Sequence, residues 1–214
     1  VSFYSYYRKY FWMSKPVIFP GLMWSEMSYM RDRDVVGISM YSEPGDWLTY
    51  ELQHYLHAQL AADTAQDINA LVQNYCEVRF GSGADAMAQW FWILSKVTTR
   101  STRLFDVAPD SPEVEQGRRQ LQSCTALLRQ AQRACRSNRT RLELLKRLGV
   151  TVRVLDKHLE LQEYQRAGNR KAIKRAIESI MRIVNGQHDK GLFLVSAPHY
   201  LSKKGLEKFY RMPV

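Results

Sequence analysis

The chain has 214 residues, 45% of them hydrophobic and 24% charged, with a formal net charge of +10. That is the composition of a globular protein long enough to bury a core in one or two domains. No run of about 18 uncharged apolar residues occurs, which argues against a transmembrane helix, and Val1-Ser2-Phe3-Tyr4 has neither the basic start nor the apolar stretch of a secretory signal.

The first residues, VSFYSYY, alternate and are rich in aromatic side chains, a strand pattern. RKYFWMSKPVIFPGLMW follows and reads as a long loop punctuated by Pro16, Pro20 and Gly21, after which Ser25 is suited to cap a short helix, SEMSYMRDRD. VVGISMYS is nearly continuously apolar at its start, as a parallel strand covered on both faces would be. Asp46 is placed to cap the next helix, in which Leu48, Leu52, Tyr55, Leu56 and Leu60 recur at helical spacing. Two βα units in succession imply parallel strands joined by a right-handed crossover. Two such strands do not make a domain. With a chain that opens directly in strand-like sequence, this leads to the expectation that it is the carboxy-terminal portion of something longer.

From Asp63 onward the signals are helical. Thr64 or Asp67 caps AQDINALVQNYCEVRF, GSG at 81–83 breaks it, and ADAMAQWFWILSKVT begins another helix. The link DVAPDSP precedes a long helix over 113–136, with further helices expected over 138–167 and 169–185. Charge divides along the same line: residues 1–96 hold seven Lys/Arg and ten Asp/Glu, whereas 97–214 hold 24 and 11. A basic half can touch nucleic acid or another anionic surface, but mixed with Glu143, Asp156, Glu160 and Glu163 it reads first as a solvated helical face.

Three cysteines, Cys76, Cys124 and Cys135, form neither a disulfide framework nor a zinc motif. His54 and His57, three apart on a helix, have no acidic or thiol partner spaced to complete a metal site. No cofactor motif is present and none is expected. Asn138-Arg139-Thr140 fits a glycosylation sequon, a short motif with many chance matches.

In parallel α/β architectures, ligands sit beyond the carboxyl ends of the strands. Tyr6 and Tyr7 end the first strand, and Met40 to Glu43 end the second, with Trp12, Trp24 and Trp47 nearby in sequence. Aromatic rings cover the CH faces of sugars and carboxylates accept from their hydroxyls. Glu43 has no evident structural duty and is the candidate acid, whereas Asp46 suits a cap and Glu26 the first turn of a helix. Loop or core packing is as good an account of the three indoles as sugar stacking.

The stretches FYSYY, VVGISMYSEPGDW and LTYELQHYLHAQLAADTAQDINALVQNYCEVRFGSGADAMAQWFWIL together resemble a bacterial family of uncharacterised domains. That family is related to α-glucuronidase-like and hexosaminidase-like glycoside hydrolases. The matching positions are Val36-Gly37, Leu52 to Leu60, Asp67 to Leu71, Tyr75, Phe80-Gly81, Ala84 and Met87. AQLAADTAQD and FGSGAD depart from the family pattern.

The resemblance implies that residues 1–62 are the last two β/α units of a (β/α)8 TIM barrel and that 63–214 form an all-α domain. It further implies a carbohydrate-active, glycoside hydrolase-like parent located outside the cytoplasm. Its sugar rim would include Tyr6, Tyr7, Trp24, Glu43 and Trp47, with most catalytic acids on earlier strands, so that this chain alone is inactive. Oligo- or polysaccharide is therefore the expected partner, and nucleic acid is not. The rival expectation is a basic helical interaction module with no enzymatic activity.

Overall fold

A computed structural model describes residues 2–5, 18–40, 47–102 and 113–188. The elements run β1 (Ser2–Ser5), α1 (Pro20–Arg31), β2 (Gly37–Met40), α2 (Trp47–Ala62), α3 (Ile68–Phe80), α4 (Ala84–Thr102), α5 (Glu113–Ala134), α6 (Arg139–Arg166) and α7 (Arg170–His188). β1 and β2 pair in parallel, Ser2 with Gly37 through Ser5 with Met40, as two successive βα units require.

The expected barrel end is corrected by this architecture. Among the described residues the sheet has two strands, each four residues long, and everything else of regular structure is helix. The fold is mostly α. The apolar run at β2 had suggested a strand covered on both faces, yet Val36 is 86% exposed, and Phe3 and Tyr4 on β1 are also exposed. Among the described residues the ladder carries no further strand, because the described segments after residue 63 repeat their apolar side chains at helical rather than alternating spacing.

α1 also differs from expectation. It starts at Pro20, not after Ser25, with Phe19 as the N-cap residue. Proline at the first helical position loses no hydrogen bond, since that N–H has no intrahelical partner in any helix. Pro20, Met23, Met27 and Met30 form its buried face. Phe19 N donates to Gln53 Oε1 at 2.8 Å, tying the start of α1 to α2.

α2 buries Leu52, Leu56 and Leu60, each contributing about 1.5–3 kcal/mol by leaving water. α3 begins where Asp67 accepts from the backbone N–H groups of Asn69 and Ala70, and it ends at Gly81, whose φ of 54° favours a residue without Cβ. A single 3-10 turn over 81–83 leads into α4.

Trp90 and Phe91 from the WFW run are buried, and their rings meet edge to face at 5.0 Å. One apolar core extends from Ile18 to Leu159 and joins α1–α6. A second links Val150, Val154 and Leu161 of α6 to Ile173, Ile177, Ile180 and Val184 of α7.

Candidate functional site

The place for a ligand follows from the strand register. Ser5 and Met40 are direct partners, so β1 and β2 end level with one another. Ser5 is buried and Met40 packs against the main core, which anchors both strand ends. In sequence, one end is followed by Tyr6 and Tyr7 and the other by Tyr41, Ser42 and Glu43.

Tyr6, Tyr7, Trp12, Glu43 and Asp46 lie outside the described residues, as does the side chain of Trp47, whose backbone opens α2. Trp24 is described, and its position differs from expectation. It belongs to α1 rather than to a loop, is 41% exposed, and stands off the face formed by Met23, Met27 and Met30. Glu26 is likewise beyond the first turn of α1, so the helix dipole gives it no role there. Its Oε2 atom is buried and has no hydrogen-bond partner among the described residues.

Two polar groups that sequence reasoning passed over position this end of the molecule. Gln53 is 1% exposed and holds Phe19; a glutamine set between Leu52 and Leu56 in an apolar stripe was the available signal. Glu51 on α2 receives Arg79 of α3, with Nη2 donating to Oε2 at 2.9 Å and Nε standing 2.7 Å from Oε1. Burial and the Glu51 charge push the neighbouring Tyr75 hydroxyl well above its usual range. Tyr75 therefore stays neutral and acts as packing beside Tyr55, Phe80 and Phe91.

His54 and His57 share a half-buried face of α2, and burial holds both imidazoles below the usual histidine range. Among the described residues, no group of three or more His, Cys, Asp and Glu side chains is placed to hold a metal. The cysteines are all buried and free, and burial pushes the thiols of Cys76 and Cys124 up to about 12. They are poor nucleophiles. Asn138 of the sequon is the N-cap of α6, accepting from Arg141 N at 3.0 Å.

Among the described residues no helix is long and apolar enough to cross a membrane. Compared with protein-family models, curated proteins and solved structures, the chain matches none.

Proposed function

We propose that the carboxyl end of the β1–β2 pair forms one side of a saccharide-binding rim in a glycoside hydrolase-like protein, and that α3–α7 serve as its helical scaffold. The observation that carries this reading is the parallel register that sets Ser5 beside Met40. Tyr6 follows the first directly, and three peptide links separate Glu43 from the second. In sequence, phenol rings and a carboxylate therefore follow neighbouring strand ends, while Trp24 belongs to α1 and Trp47 opens α2. Carbohydrates call for this combination, because their ring faces are apolar and their edges are dense in hydroxyls.

In this reading Tyr6, Tyr7, Trp24 and Trp47 supply faces for the sugar, and Glu43 accepts from its hydroxyls. Glycosidic cleavage needs a second carboxyl group across the bond, so the chain by itself binds without hydrolysing. A role in polysaccharide processing outside the cytoplasm goes with this assignment.

The test is titration with neutral oligosaccharides, followed by calorimetry and by indole fluorescence. Binding that is insensitive to salt, lost on Trp47→Ala and weakened about tenfold or more on Glu43→Gln supports the rim. Absence of saccharide binding, or binding that both substitutions leave intact, overturns it.

A further inference from the structure

The turn between α5 and α6 is seated from one side. Cys135 Sγ donates to Phe80 O at 3.0 Å, and Ser82 Oγ donates to Ala134 O at 2.9 Å, so the end of α5 rests on the junction of α3 and α4. Beyond Cys135 the chain faces outward: every residue from Arg136 to Thr140 is exposed. This stretch contains Asn138-Arg139-Thr140, the acceptor pattern for an N-linked glycan. The other asparagines, Asn69, Asn74, Asn169 and Asn185, have no Ser or Thr two places on.

Asn138 serves two ends of its amide separately. Its Oδ1 accepts from Arg141 N at 3.0 Å and caps α6. Its Nδ2, the atom that a glycan would occupy, makes no hydrogen bond among the described residues. A glycosyl bond at Nδ2 leaves the side-chain carbonyl in place, so the cap survives it. The backbone at Asn138 is extended, with φ −108° and ψ 99°, and Arg139 is the first helical residue. The side chain therefore leaves from the tip of the turn and not from a packed helix face. Capping alone is met by Asn, Asp or Ser and places no demand on residue 140. Asn169 shows the difference: it caps α7 by accepting from Ala172 N, yet Lys171 stands where the pattern requires a hydroxyl.

We propose that Asn138 is an acceptor for N-linked glycosylation, so that a chain meeting an oligosaccharide transferase carries one glycan on the outer side of the α5–α6 turn. The donor is an oligosaccharide carried on a lipid pyrophosphate. Asn138 Nδ2 attacks the anomeric carbon; the N–C bond forms as the C–O bond to the pyrophosphate breaks. The lipid pyrophosphate leaves with that bond's electron pair, and Nδ2 gives up one of its two protons. The assignment rests on the turn alone and is independent of the saccharide rim at the strand ends.

The experiment secretes the whole chain from a eukaryotic cell line behind a cleavable signal and measures its mass before and after an amidase that releases N-linked glycans. The expected product exceeds the polypeptide mass by one glycan, and the amidase removes the excess and leaves aspartate at the attachment site. Thr140→Ala should abolish the excess while keeping the Asn138 cap, and Thr140→Ser should retain it. The glycosylated and amidase-treated chains should also share one urea midpoint, since aspartate caps as well as asparagine and the glycan stands clear of the packed side of the turn. A secreted chain without the glycan overturns the proposal, as does an excess that persists in Thr140→Ala. A midpoint lowered in the glycosylated chain overturns it too, because the sugar would then be displacing packed residues.

Discussion

The Cys135 thiol donates to the Phe80 carbonyl oxygen at 3.0 Å, so the end of α5 is seated on the end of α3. Gly83 lies in the same junction. A Cβ built on it would stand 3.1 Å from Cys135 Sγ and 3.2 Å from Ala131 Cβ, on a packed helix rather than at the tip of a flexible side chain. Gly83→Ala is therefore expected to overpack the junction and lower stability by about 1–3 kcal/mol. A urea midpoint that is unchanged or raised would show that the two helices separate more easily than their packing implies.

Asp67 carries the entry to α3. Its Oδ1 accepts from Asn69 N at 2.6 Å and from Ala70 N at 3.3 Å, satisfying two N–H groups that have no intrahelical partner. Asp67→Ala is expected to cost about 1 kcal/mol, and Asp67→Asn or Asp67→Ser much less, because each keeps a capping oxygen. The ranking of the three midpoints checks the assignment.

The helical half was legible because its signals are local. Asp67, read as a cap, does cap α3, and the period of Leu52, Leu56 and Leu60 marks the buried face of α2; Asn138 and Asn169, which the structure shows accepting from Arg141 N and Ala172 N, were not read as caps. Parallel pairing was legible too, since short strands alternating with a helix leave little other topology. The start of α1 was misread because Pro20 was taken as a breaker when it occupies the position where proline suits a helix. The barrel failed for another reason: lateral neighbours of a strand are non-local, and no periodicity within Gly37–Met40 encodes how many strands lie beside it. Of the proposed rim, Trp24 was read as part of a loop and lies in α1. Gln53 was missed because its hydrogen bond spans 34 residues of sequence.

Arg118 joins α5 to α6 through two carboxylates of unequal standing. Its guanidinium donates through Nε and Nη2 to both oxygens of Glu163, and it reaches Asp156 Oδ1 only at 3.4 Å. Burial and the nearby Glu160 charge raise the Asp156 carboxyl above its usual range, against the pull of Arg118 and Lys157. A carboxyl raised in the folded state binds protons more readily there than in the unfolded chain, so its ionised form weakens the fold at neutral pH. Asp156→Asn is thus expected to leave stability unchanged or raise it, whereas Glu163→Gln, which breaks the two-point contact, should lower it by about 1 kcal/mol. Equal losses in the two variants would contradict this division of roles.

His54 and His57 set the acid limit of α2. Burial depresses both, and the His54 charge depresses His57 further, so each has a folded pKa below its ordinary 6.5. A histidine depressed in the folded state binds protons more readily once the chain unfolds. Its neutral form therefore causes no loss above pH 6.5. As pH falls through that value the unfolded chain takes up protons first, and stability declines until the folded pKa is passed. The urea midpoint should fall as pH is lowered below 6.5, and the double substitution His54→Gln, His57→Gln should flatten that limb while leaving mildly alkaline stability nearly unchanged. A limb of the same slope in the double variant would assign the acid sensitivity to carboxylates elsewhere in the chain.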